Sequence, residues 1–163
     1  MNTRTTTRGA LVGMAAGMMM AMWSMIALAA TGHGFWAPLD LIAHTVWRSA
    51  PLDGTFSAGA LAIGLMAHMM LSAGLGIAIA TIADRFDYAR STAGIAFAVT
   101  GVAWVAGLVL WHAIDETAAA AFTGWILAVG HVIFAMTAAA GTIALADHRS
   151  ARTSTSHPRA VHA

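Results

Sequence analysis

The chain has 163 residues, 59% of them hydrophobic and only 9% charged, with a mean hydropathy of +0.73. Soluble domains carry about 25% charged residues, so water is not the solvent for most of this chain. There is no cysteine, which excludes disulfides, thiolate metal sites and cysteine nucleophiles. The cationic side chains are all arginine, the net charge is +1, and no nucleic-acid-binding motif accompanies them.

In chain order, the first apolar stretch runs over 9–30. Gly9, Gly13 and Gly17 form a tandem GxxxG stripe on it, which lets a second helix backbone approach closely. Arg4 and Arg8 before it and the small-x-small run Ala27-Leu28-Ala29 fit a cleaved signal peptide. Signal-peptide cores run about 7–15 apolar residues, however, and this stretch is longer, so it is expected to be retained as a transmembrane helix. The following loop, 31–57, is too long for a plain connection. Within it, 38–48 reads as a short helix opened by Pro38, with Leu39, Ile42, Ala43 and Val46 on one face and Asp40, His44 and Arg48 on the other. With Trp36 and Trp47 as belt residues, it is expected to lie in the outer headgroup region rather than to form a binding lid.

Three further apolar stretches follow, at 58–83, 92–113 and 119–146. Each of the four exceeds the roughly 20 residues that cross about 30 Å of hydrocarbon, and none contains Asp, Glu, Lys or Arg. Arg4, Arg8, Arg85, Arg90, Arg149, Arg152 and Arg159 fall on one side of the spans and Arg48 alone on the other. The positive-inside rule then places both termini and the 84–91 loop in the cytoplasm. The expected fold is an all-α, four-transmembrane-helix up-down bundle over 1–146, with a polar, disordered cytoplasmic tail over 147–163.

Offset by 63 positions, the second span lies over the fourth: AHMMLSAGLGIAIATIAD from Ala67 matches GHVIFAMTAAAGTIALAD from Gly130, with His68 on His131 and Asp84 on Asp147. The bundle then reads as two tandem helical hairpins related by an axis along the membrane normal. In an up-down bundle the second and fourth helices are parallel and diagonal, so the two histidines share a depth near the bilayer middle and face one another across the core. An ionisable residue there needs a partner. Neutral imidazoles can tie helices together through carbonyls or a serine such as Ser72. They can also ligate a b-type haem, with Ala67 and Gly130 leaving room for the macrocycle, or hold copper or another metal ion, contact a quinone or relay protons. Met14, Met18, Met22 and Met25 on the first span and Met66, Met69 and Met70 around His68 would suit Cu(I), although a methionine stripe at helical spacing is ordinarily packing.

A second cluster falls at the outer surface. His112 and Glu116 are one turn apart beside Asp115, and His33, Asp40 and His44 lie on the same side; His112, Glu116, His44 and Asp40 are a candidate divalent-cation set, with simple solvation as the plainer reading. No Ser/His/Asp grouping, phosphate loop or catalytic carboxylate pair supports enzymology.

The segments GALVGMAAGMMMAMWSMI, GHGFWAPLDLIA and GHVIFAMTAAAG resemble small bacterial four-helix membrane proteins that share a glycine-rich first helix and a histidine-glycine pattern in later ones. The resemblance implies the fold and carries neither an activity nor a site residue across. The expectation is a multi-pass protein of the bacterial plasma membrane without catalysis of its own. It would serve as an accessory subunit or homo-oligomer binding haem b or a metal through His68 and His131; the alternative is a small homo-oligomeric permease or channel for a metal ion or metabolite.

Overall fold

The computed structural model describes residues 3–86 and 89–155. The described residues are helical, without strands, and six helices follow one another: α1 (Thr3–Ala30), α2 (Ala37–His44), α3 (Ala58–Phe86), α4 (Ala89–Ile114), α5 (Glu116–Ala121) and α6 (Gly124–Thr155). Four stretches, Thr3–Ala30, Ala58–Phe86, Ser91–Ile114 and Gly124–Leu145, are long and apolar enough to span a bilayer. The protein is an all-α, multi-pass membrane helical bundle.

The four long helices form a ring in which α1 touches α3 and α6, and α4 touches α6 and α3. The diagonal pair α3 and α6 barely meet, as expected for the second and fourth members of an up-down bundle. The α1–α3 seam is the closest. A Cβ on Gly9 would lie 2.8 Å from the Gly76 carbonyl oxygen and the Ile77 Cα, and one on Gly13 would lie 2.9 Å from the Gly76 Cα. On the α3 side, Gly64, Ser72, Gly76 and Ala80 are buried along a four-residue row that also contains Ala60 and His68. Small residues on both helices therefore let backbone meet backbone, the association that works in lipid, where the hydrophobic effect supplies no drive between helices. Thr5 closes the end of the seam by donating to the Asp84 carboxylate at 2.6 Å.

Two apolar clusters fill the bundle. One joins Val12, Ala16, Ile79, Ala96, Phe134 and Ala138 toward the chain termini; the other joins Leu28, Ala37, Leu41, Ala118, Phe122 and Ile126 at the opposite end. His68 and His131 fall in sequence and depth between the two.

The structure corrects three expectations. The helix in the first loop ends at His44, and both of its faces are buried: Asp40 and His44 of the expected polar face are enclosed along with Leu39 and Ala43 of the apolar one, while Val46 lies beyond the helix and is 71% exposed. It is a roof across one end of the bundle, because the Leu39 carbonyl of α2 rests directly on Gly64 of α3, where any side chain would keep them apart. The stretch expected as one span from residue 119 is divided: Asp115 caps the separate helix α5 by accepting from the Ala118 N–H, and extended Phe122 breaks the chain before α6 begins. Finally, α6 continues to Thr155, so 147–155 is helical rather than disordered, and the rest of the expected tail, 156–163, lies outside the described residues.

Candidate functional site

α3 and α6 bring their histidines to the bundle interior by different routes. The Nε2 of His68 lies 2.9 Å from the carbonyl oxygen of Gly17 on α1, so this ring crosses the seam. The absence of a side chain at Gly17 admits it: a Cβ there would fall against Ser72 and 3.5 Å from the His68 Nε2. The Nδ1 of His131 instead lies 2.8 Å from the Leu127 carbonyl of its own helix, and its ring packs against Trp104 of α4 at 6.1 Å between centroids.

A carbonyl oxygen can only accept. The bonded nitrogen of each ring must therefore carry the hydrogen, and in a neutral imidazole the other nitrogen then holds a lone pair. His68 presents Nδ1 in this form and His131 presents Nε2. Nearby on α4, the Thr100 hydroxyl and the Trp104 indole N–H are buried without a hydrogen-bond partner.

Between His68 and the roof lies a cavity of about 50 Å³, bounded by Met20, Ala21 and Ser24 of α1, Pro38, Leu39 and Ile42 of α2, and by His68, Trp111, Phe122 and Leu127. One water needs roughly 10–15 Å³ by the same measure, so the space has the volume of a few waters, but its lining is almost wholly apolar apart from His68 and Ser24. A porphyrin does not fit it. The room expected beside Gly130 for a macrocycle is taken by Met20, whose Cγ would be 3.2 Å from a Cβ at that glycine. The methionines singled out in the sequence do not line the cavity: Met14, Met18, Met22, Met66 and Met70 are exposed, Met69 is half-buried, and Met25 is buried.

The four surface residues expected to gather a divalent cation are not brought together. His112 and Glu116 are exposed, and the His112 Nδ1 turns back to the Leu108 carbonyl at 2.9 Å. His44 pairs with Asp115, its Nδ1 2.6 Å from Oδ2, and Arg48 reaches the same oxygen at 2.7 Å while also donating to the Ile114 carbonyl. Trp111 adds a hydrogen bond to the Thr45 hydroxyl at 3.0 Å. These contacts lock α2 and the turn after it to the α4–α5 corner. Desolvation pushes the Asp115 carboxyl up, but hydrogen bonds from His44 and the Ala118 N–H, with the charges of His44 and Arg48, outweigh it and hold the group below its ordinary value. Among the described residues no three His, Asp or Glu side chains converge as a metal site.

Asp40 stands apart. It is fully buried in α2 and neither carboxylate oxygen has a hydrogen-bond partner. Burial, reinforced by the charge of Asp53, raises its carboxyl to about 6.

Sequence reasoning missed Met20, Trp104 and the role of Asp115. Asp115 sat beside the expected cation set, yet nothing in the local pattern pointed to a pairing with His44 across the α2–α5 contact. No protein-family model matches the chain, and no curated protein or solved structure matches it significantly.

Proposed function

We propose that this protein is an accessory binding subunit of the bacterial plasma membrane, without catalysis of its own, whose paired core histidines hold a Cu(I) ion. The observation that carries the reading is the hydrogen bonding of the two rings. Each imidazole commits one N–H to a helix carbonyl and keeps a lone pair on the other nitrogen, the arrangement by which metal-binding histidines are oriented and made basic.

Cu(I) is favoured over the other candidates on charge and coordination. Zinc sites take about four ligands, commonly with anionic members, and the apolar stretches 9–30, 58–83, 92–113 and 119–146 contain no carboxylate to offset a divalent ion. A monovalent soft ion bound by neutral imidazoles carries less charge into the bilayer, and imidazole suits copper. Haem b is disfavoured by the size of the cavity. The arginine distribution supports cytoplasmic termini, with the α2–α5 roof on the outer side. Small-residue faces support assembly as a homo-oligomer or within a larger membrane complex.

The test is an anaerobic Cu(I) titration of detergent-purified protein against a chromophoric chelator. The expected result is one tightly held Cu(I) per chain, lost in both His68→Ala and His131→Ala. A wild type that leaves all copper with the chelator ends the proposal. The second reading, a small permease for a metal ion or metabolite, draws on the cavity beneath a separate roof helix. Copper flux into proteoliposomes would favour it over a static binding role.

A further inference from the structure

We propose that α2 is a proton-operated lid: with Asp40 neutral it closes the cavity between the roof and His68, and with Asp40 ionised it lifts from α3 and opens that cavity to water. This goes beyond the Cu(I) reading and is tested without any metal.

Asp40 has no exposed surface, and neither of its carboxylate oxygens is hydrogen-bonded. A neutral carboxyl tolerates such a place, whereas an isolated carboxylate gives up its hydration with nothing in exchange. The titratable groups on the elements packed around α2 offer it no relief. His44, one turn along α2, is engaged by Asp115, and Arg48 goes to the same carboxylate. On α3, His68 faces the cavity with its bonded nitrogen on the Gly17 carbonyl. Glu116 of α5 is exposed, His33 before α2 is exposed beside Thr31, and the α1 residues on the cavity, Met20, Ala21 and Ser24, carry no charge. In the loop after α2, Asp53 is a like charge that makes ionisation harder still.

The helix is also fixed unevenly. Its C-terminal end is latched to the α4–α5 corner through His44, Thr45 and Arg48. Its N-terminal half rests on α3 only through the close backbone contact of the Leu39 carbonyl with Gly64. The chain entering α2 passes Gly32 and Gly34 at φ 86° and 83°, and the loop leaving it passes Gly54 at φ 77°. A Cβ at Gly32 would meet nothing within 4 Å, so this glycine is free to turn, while Gly34 and Gly54 lie against one another and move together. The latch then serves as pivot and Gly32 as hinge. Pro38, Leu39 and Ile42 cover the cavity, so lifting this half uncovers Ser24 and His68 beneath it. Protonation favours the closed state in acid, and that preference is lost as pH rises through about 6.

The chain has no cysteine, so a single thiol can report from the cavity wall. Full-length Ser24→Cys protein in lipid nanodiscs would be reacted with a water-soluble thiosulfonate between pH 5 and pH 7.5. Each rate is divided by that of the exposed Ser49→Cys, which removes the ordinary ionisation of the thiol. Ala21→Cys, on the same wall, is the reporter should Ser24→Cys not fold. The normalised rate should rise about tenfold over this range, the share of a displacement from 3.8 to about 6 that falls within it. In the Asp40→Asn background it should stay at its acid value throughout. A rise that survives Asp40→Asn unchanged, or a normalised rate that is flat with Asp40 in place, overturns the proposal.

Discussion

The seam between α1 and α3 and the roof formed by α2 and α5 close the same bundle by opposite means. The seam has no side chain of any size along much of its length; Gly9, Gly13 and Gly17 set one backbone against Ser72 and Gly76 on the other. The roof is held by a carboxylate, Asp115, that gathers His44, Arg48 and a helix N-terminus at one oxygen pair. The difference follows the solvent. Where lipid surrounds the helices, dispersion between close backbones is the available attraction, and it is indifferent to pH and salt. Where the bundle meets water, charge-assisted hydrogen bonds become usable, and their strength depends on protonation.

The largest expected effect lies in the seam. Gly13→Ala sets a methyl against the backbone of Ser72 and Gly76, neither of which can rotate away, and should destabilise the fold by about 3 kcal/mol or more. Gly94→Ala on α4 meets nothing within 4 Å. Relief of glycine's poor helix propensity should make that substitution stabilising by about 0.5–1 kcal/mol. Reversible denaturant unfolding in mixed micelles measures both, and equal effects would remove the contrast between packed and open glycines.

An intermediate effect is expected in the roof. Asp115→Asn keeps the shape and an acceptor for the Ala118 N–H but removes the charge that His44 and Arg48 share, for a loss of about 2 kcal/mol. The same unfolding assay, repeated in high salt, should show the wild-type advantage shrinking, since Arg48 is half exposed. A salt-independent difference would mean that shape, not charge, holds the roof.

The remaining effect separates the two regions by pH. A carboxyl whose native value is about 6 against an ordinary 3.8 binds its proton more tightly when folded. Asp40 therefore favours the native state most below pH 3.8, and that contribution is lost as pH rises through about 6. Asp40→Asn should flatten this part of the wild-type stability profile, leaving the variant the more stable at neutral pH. Identical slopes for wild type and variant would show that Asp40 finds a partner when ionised.

The readability of these features in the sequence follows their range. The four spans and the diagonal placement of His68 and His131 were legible because apolar length and alternating direction are local quantities. The glycine stripe on α1 was legible for the same reason. The orientation of α2 was not, because periodicity separates two faces of a helix but does not say that both are covered, and here Gly64 draws one face inward while the α5 corner covers the other. Asp115 escaped notice as a partner because its meaning depends on His44, brought near only by the loop's return across the bundle. Met20 was hidden by abundance: its neighbours Met18, Met19 and Met22 share its chemistry and differ only in facing outward.

The glycine face of α1 also imposes an order on biogenesis. Its partners, Ser72 and Gly76, belong to a helix made later, after the long loop and α2, so α1 enters the bilayer with that face open to lipid. A face without side chains can wait there at little penalty, because it offers lipid neither a polar group nor a bulky knob that fits only one partner. α2 emerges before the helix it will lean on, with Asp40 still in water and free to ionise. Asp40 is fully buried in the folded bundle, and the Leu39 carbonyl beside it gains its seat on Gly64 only when α3 has inserted. The seam is thus the first tertiary contact between spanning helices that the growing chain can make, and the roof, which needs α5 as well, is among the last.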